Sequence, residues 1–166
     1  EVNTMNISAF DPVIDKNTKV LILGSIPSIK SLEINEYYGN PRNQFWKLIS
    51  LVFGEEIQEV YTDKVRCLLK NRIGIWDVIS SCYREGSLDS NIKNPTVNDF
   101  ETLFKEYTNI DYIFFNGSKA EQLFIKKVNS DILSGKKLFK LPSSSPARAI
   151  SIDEKLKFWI RIRECL

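Results

Sequence analysis

The sequence contains no histidine. That absence removes Ser-His-Asp and Cys-His nucleophilic catalysis, histidine-ligated zinc, and the side chain most often used as a general base near neutral pH. Cysteine is scarce as well: Cys67, Cys82 and Cys165 are odd in number, widely separated, and form no CxxC pair. They fit reduced, buried thiols rather than a disulfide frame, a zinc site or an iron–sulfur cluster. No stretch approaches the roughly 18 apolar residues of a membrane span, and the N-terminal "EVNTMNISAF" lacks signal-peptide character. With only 7 glycines there is no GxGxxG and no P-loop, so a nucleotide-phosphate cradle is not expected. Chemistry in such a chain must run on carboxylates, carboxamides, hydroxyls, lysine or backbone dipoles. The expectation is a cytoplasmic protein.

What is present describes a globular protein. The 166 residues, 43% hydrophobic and 27% charged, suit one domain spanning 1–166 with a sizeable core. The net charge of +2 is uninformative, but its distribution is not. From Ser118 to Arg148 seven basic residues (Lys119, Lys126, Lys127, Lys136, Lys137, Lys140, Arg148) face two acidic ones, Glu121 and Asp131. Such an excess suits a phosphate backbone, and equally suits solvated helix faces.

Along the chain, "KVLILG" and "YIFFNG" are unbroken apolar runs ending in Gly, the pattern of strands buried on both faces. Asn40-Pro41 reads as an N-cap and first helical position, opening a helix to about Phe53 with Phe45, Leu48, Ile49 and Val52 on one stripe. Further helices are expected over Thr62–Leu69, Thr96–Tyr107, Ser118–Val128 and Asp153–Arg163, with strands at "GIWDVIS" and "KLFKL". Strands alternating with helices predict a three-layer α/β/α sandwich around a largely parallel four-stranded sheet. Ligands bind beyond the carboxyl ends of such strands, and three unusual loops fall there: "GSIPS" onward to Arg42, "NGSKA" and "LPSSSPAR".

Each loop has a plain and a functional reading. Gly24 permits close backbone approach to a ligand, or is simply a turn. Ser143, Ser144 and Ser145 with Arg148, stiffened by Pro142 and Pro146, suit phosphate contacts or an ordinary loop. Asn116 presents a carboxamide to a planar amide edge, or ties two loops together. Asp77, Asp89 and Asn91 are polar residues of no specific pattern. In "YYGNPRNQFW", Asn43 would sit in the first helical turn beside N–H groups that favour anions, Trp46 reads as core, and Phe45 reads as core or site.

Taken together and in this order, "GSIPS", "YYGNPRNQFW", "GIWDVI", "FNGSKA" and "LPSSSPARA" resemble the uracil-DNA glycosylase superfamily. They are most similar to its hypoxanthine-DNA (deoxyinosine) glycosylase branch, near the mismatch-specific uracil and thymine glycosylases. The resemblance runs from about Lys19 to Trp159. It implies a monofunctional, metal-free and cofactor-free hydrolase of base excision repair, acting as a monomer on double-stranded DNA. A deaminated base, hypoxanthine first and uracil or xanthine as alternatives, would be flipped out and its N-glycosidic bond hydrolysed.

By the same resemblance Gly24, Ser25, Ile26, Pro27 and Ser28 wall the base pocket, with Tyr37 and Tyr38 beside them. Phe45 stacks on the base, Asn116 contacts its edge, and Ser143, Ser144, Ser145, Pro146, Arg148 and Lys119 meet the DNA. Two positions depart from the wider superfamily: Ile26 stands where many members carry Asn or Asp in Gly-x-Asn-Pro, and Leu141 stands where some carry His. Asn43 is then the expected catalytic group, orienting water or stabilising the leaving base. A non-catalytic DNA-binding module on the same fold is the alternative that the residue at 26 keeps open.

Overall fold

The computed structural model describes residues 5–56 and 58–166, so the reading of the first ten residues lies partly outside it. Among the described residues the strands are β1 (Met5–Ser8), β2 (Val20–Gly24), β3 (Ile73–Asp77), β4 (Ile79–Arg84), β5 (Lys93–Val97), β6 (Tyr112–Asn116) and β7 (Lys137–Leu141). Four of them form a wholly parallel sheet in the order β3-β2-β6-β7, with Gly24 opposite Asp77 and Asn116 opposite Leu141. The continuous apolar runs are explained by this placement: both faces of β2 and β6 are covered.

Alternation along the strands separates two cores. Val20, Ile22, Ile73, Ile75 and Phe114 meet the helices α2 (Phe45–Phe53), α3 (Tyr61–Lys70), α6 (Ile152–Trp159) and α7 (Arg161–Glu164). Phe45, Leu48, Val52, Leu68, Trp159 and Ile162 of those helices are fully buried, each such large apolar side chain contributing about 1.5–3 kcal/mol. On the opposite face Leu21, Leu23, Ile113 and Phe115 pack against α4 (Phe100–Glu106) and α5 (Ser118–Lys127). The three-layer α/β/α arrangement is therefore as the sequence pattern indicates. A short helix, α1 (Ile29–Ile34), follows β2 and is capped by Ser28.

The sequence reading misses a second sheet. β1, β4 and β5 pair antiparallel in the order β1-β4-β5, and Ile7, Ile79 and Cys82 carry this sheet onto the α4/α5 side of the core. "GIWDVIS" is accordingly two strands: the Val78 N–H still donates to the Gly24 carbonyl of the main sheet (2.8 Å), and from Ile79 the chain pairs in the second sheet. Thr96 and Val97 belong to β5 rather than to a helix. Pro95 is tolerated because β5 is an edge strand, and Asn94 before it takes a left-handed backbone (φ 51°). Asp99 is the residue that opens α4, accepting from the Thr102 N–H.

The helix after Pro41 also begins later than its sequence suggests. The Asn43 N–H donates to the Asn40 carbonyl, and Asn43 Oδ1 accepts from the Phe45 N–H (2.9 Å), so a turn occupies residues 40–43 and the helix starts at Phe45. Side-chain capture of a nearby backbone N–H is the usual way Asn diverts a chain from helix. The closing helix is likewise divided, at Ile160.

Candidate active site

Beyond the carboxyl ends of β2, β3 and β6 lies a cavity of about 270 Å³. That is just below the ~300–1,000 Å³ typical of drug-sized ligand sites, and suits one planar heterocycle. Its walls come from the β2–α1 loop (Gly24 to Ser28), the turn before α2 (Asn40, Asn43), the β4–β5 loop (Ser87 to Asp89) and the loop after β7 (Ser143 to Ser145, Arg148). Tyr37, Tyr38, Asp77 and Asn116 complete them. The three loops singled out by sequence thus converge, and the β4–β5 loop joins them.

Hydrogen bonds hold these loops in register. Asn116 is 9% exposed: its Oδ1 accepts from the Ser144 N–H (2.9 Å), and its Nδ2 donates to Ser144 Oγ (2.9 Å) and Tyr38 Oη (3.2 Å). Both amide hydrogens are therefore engaged, and the residue ties β6, the Tyr38 turn and the post-β7 loop together. Ser144 is fully buried, and its carbonyl accepts from the Gln44 N–H (2.9 Å). It is a pin of the loop, not a surface that DNA can reach. Ser143 Oγ accepts from the Ser145 N–H and Ser145 Oγ from the Ala147 N–H, which shapes the loop around exposed Pro146 and Arg148.

Buried Lys155 donates to the Ser145 carbonyl (3.3 Å), and Trp159 Nε1 to the Pro142 carbonyl (2.9 Å), bracing the loop from α6. Burial pulls the Lys155 ammonium below its ordinary pKa, and the Arg148 charge adds to the effect.

The aromatic wall differs from expectation. Phe45 is fully buried and does not line the cavity, because Tyr38 lies flat against it. Tyr38 adopts a left-handed backbone (φ 52°), which turns its ring back over the start of α2. Burial raises its phenol pKa, so it stays a neutral hydroxyl. Tyr37 is also buried, but its hydroxyl is anchored to the Asp11 carbonyl (2.7 Å), and burial raises its pKa strongly. Trp46, read as core, is only half-buried and donates to the Tyr37 carbonyl (3.1 Å).

A family model of the uracil DNA glycosylase superfamily matches residues 12–163. The chain belongs to this superfamily. Two curated relatives, each named hypoxanthine DNA glycosylase, come from Methanosarcina barkeri and Methanosarcina acetivorans. The first is 41% identical over 117 residues, which is 70% of this chain and 74% of the relative. The second is 46% identical over 112 residues, 67% and 71% of the two chains. A Methanosarcina acetivorans protein solved by NMR and described as a candidate uracil DNA glycosylase superposes with a TM-score of 0.81 at 39% identity, covering 97% of this chain and 99% of its own.

In this superfamily member, Gly24, Ser25, Ile26, Pro27, Ser28, Tyr37, Tyr38, Asn43, Asn116, Ser143, Ser144, Ser145 and Arg148 all lie in the cavity wall. Phe45, Pro146 and Lys119 do not. The basic run is also divided by the fold. Lys126 and Lys127 end α5, and Lys136 and Lys137 precede or begin β7, so these four lie at the opposite end of the sheet, some ~13–16 Å from the strand ends by the rise of helix and strand. Lys136 is occupied with the Ile110 carbonyl and sits over the Phe104 ring.

Two charged residues stand out that pattern reading left unassigned. Asp77, the last residue of β3, is 3% exposed and lines the cavity, and Arg84 is 1% exposed behind it. The Arg84 guanidinium donates to the Pro27 and Gly86 carbonyls (2.6 Å each), fixing the first loop. Burial lowers its pKa. One signal did mark Asp77: an acid at the carboxyl end of an otherwise apolar strand.

Proposed function

We propose that this chain is a DNA glycosylase that takes a deaminated base, hypoxanthine foremost, out of double-stranded DNA and hydrolyses its N-glycosidic bond. The observation that carries this is a base-sized cavity at the ends of parallel strands with Asn43 in its wall. The relatives named hypoxanthine DNA glycosylase support the choice of base. Extruding the nucleotide costs a few kcal/mol of unstacking, least where the base is mispaired, as a deaminated base is.

Asn43 is the catalytic carboxamide of this reading. Its Oδ1 is engaged by the Phe45 N–H, which leaves the Nδ2 amide as the group available for chemistry. A fixed donor at the cavity wall stabilises the negative charge that the departing base acquires as the C1′–N bond opens. Between the two roles expected for Asn43, this geometry favours the leaving base over the water. Tyr38, with Phe45 behind it, supplies the aromatic wall. Its hydroxyl accepts from Asn116 and keeps its own proton for the base edge. Arg148, exposed at the mouth, serves the phosphate backbone.

The test is single-turnover cleavage of labelled duplexes carrying hypoxanthine, xanthine or uracil, with alkali revealing abasic sites. Asn43→Ala is expected to slow release by roughly 10²–10³-fold, the usual loss for one preorganised donor. Unchanged release would remove Asn43 from the chemistry. Salt-dependent duplex binding with no abasic product from any substrate would instead make this a binding module.

A further inference from the structure

Asp77 has no place in the mechanism so far, yet it occupies the floor of the cavity. It closes β3 directly opposite Gly24 in the parallel register, and the residue is only 3% exposed. Buried carboxyls are normally paired or saturated with donors. Here Oδ2 meets no hydrogen-bond partner among the described residues. Arg84, the buried cation near it, aims its Nε–H at the Gly86 carbonyl and an Nη2–H at the Pro27 carbonyl, and makes no hydrogen bond to Asp77 among the described residues. The carboxyl also needs the bare backbone beside it: a Cβ on Gly24 would stand 2.7 Å from Asp77 Oδ1 and 3.0 Å from Tyr38 Oη. Strand register, a missing side chain and an unpartnered oxygen together direct one acid into the site.

We propose that Asp77 is the general acid of base release, its carboxyl passing a proton to a ring nitrogen of the flipped purine as the glycosidic bond breaks. The proposal rests on the reading above that a deaminated purine occupies the cavity. The electron pair of the C1′–N9 bond moves onto the purine, and the Asp77 proton joins the lone pair of N3 or N7. Neutral hypoxanthine departs and a carboxylate remains beside the sugar cation. A water oxygen then bonds C1′, and the proton it releases restores the carboxyl directly or through solvent. One C–N bond is exchanged for one C–O bond, and nothing is oxidised or reduced.

The surroundings keep the acid protonated where it must act. Burial, with the charge of Asp89 adding and that of Arg84 opposing, pushes its pKa up to about 7. The other titratable groups facing it, Tyr37 and Tyr38, are neutral phenols. Asp89 approaches from the β4–β5 loop, where its Oδ1 accepts from Ser25 Oγ (2.7 Å). Asp89→Asn keeps that acceptor and deletes the charge.

Single-turnover excision from a hypoxanthine-containing duplex between about pH 5.5 and 9 tests this, with wild type, Asp77→Asn and Asp89→Asn compared. The wild-type rate is expected to be flat below about pH 7 and to fall about tenfold per unit above it. Asp77→Asn should be at least ~100-fold slower at the low-pH plateau and insensitive to pH, the scale of losing an acid catalyst. Asp89→Asn should move the falling limb to lower pH. If Asp77→Asn does not fold, as judged by its thermal melt, the wild-type limb and its movement in Asp89→Asn decide the matter. A rate that rises with pH, an Asp77→Asn rate within about threefold of wild type, or an unmoved limb in Asp89→Asn overturns the acid role alone. No abasic product from the wild type at any pH overturns the glycosylase reading itself, and the acid with it.

Discussion

Tyr38 lies flat on Phe45, with ring centroids 3.9 Å apart and planes 13° from parallel. The pair is a two-layer aromatic wall: the inner ring is sealed in the core and the outer ring faces the cavity. The two functions of the outer ring are separable. Tyr38→Phe keeps the stack and loses the hydroxyl, which accepts from Asn116 and offers its proton to the base edge, so release should slow by about 3–10-fold, the scale of one neutral hydrogen bond to the base. Tyr38→Ala removes the stack and uncovers Phe45, which should lower stability by about 2 kcal/mol as well. Urea denaturation alongside single-turnover rates separates the two. Equal stability losses in both variants would contradict this division.

Gly24 makes a second prediction through what it lacks. A methyl group there meets the Asp77 carboxyl at 2.7 Å and the Tyr38 hydroxyl at 3.0 Å, closer than such contacts tolerate. The backbone of Gly24 is ordinary strand, so Gly24→Ala carries no conformational strain and should fold. The Asp77 carboxyl must instead swing aside. Base release should fall by ~10²-fold, the usual penalty for misplacing a reacting group by about an ångström, while the thermal midpoint moves by only a few degrees. A variant with wild-type release would show that the carboxyl's position is immaterial.

The contrast between Gly24 and Asp77 shows what a sequence makes legible. Gly24 closes an apolar run with a residue whose special property is local, so both the strand and the close approach could be read directly. The three-layer fold followed for the same reason, because burial on both faces of "VLILG" and "YIFFN" is written as an unbroken apolar run of consecutive residues. Asp77 draws its character from partners outside its own strand, Gly24 across the sheet, Arg84 at the end of β4 and Asp89 in the β4–β5 loop, and none of these is visible in "GIWDV". The second sheet was hidden likewise: β5, "KNPTV", has turn-forming composition and is a strand only because β4 pairs with it. At Phe45 the residue type was read correctly and the depth was not, since Tyr38 covers it only by taking a left-handed backbone at φ 52°.

Asn116 should behave as a structural tie. Its carboxamide satisfies the buried N–H and hydroxyl of Ser144, 28 residues away in sequence. Asn116→Ala leaves both without partners, so the fold should lose about 2–3 kcal/mol. The loss should be local, because the loop from Pro142 to Arg148 is otherwise held mainly by Lys155 and Trp159. Hydrogen exchange at the Ser144 amide and proteolytic nicking after Arg148 should both accelerate. Unaltered exchange at Ser144 would mean the tie contributes nothing to the loop.

The fold should carry a pH signature of Asp77 that is independent of catalysis. Its carboxyl titrates at about 7 in the folded protein, against an ordinary value of 3.8. The native state therefore binds the proton more tightly than the unfolded chain does. The stability this provides is fully present below about pH 4 and is progressively lost as pH rises through about 7, at about 1.4 kcal/mol per unit between the two values. Above that, the native fold must hold a desolvated charge. Asp77→Asn abolishes the titration, so its stability relative to wild type should improve from pH 5 to pH 8 by on the order of a few kcal/mol. Urea unfolding at the two pH values measures this directly. A difference that stays constant would mean that Asp77 is ionised in the native protein throughout, and that the cavity stabilises the carboxylate instead of the acid.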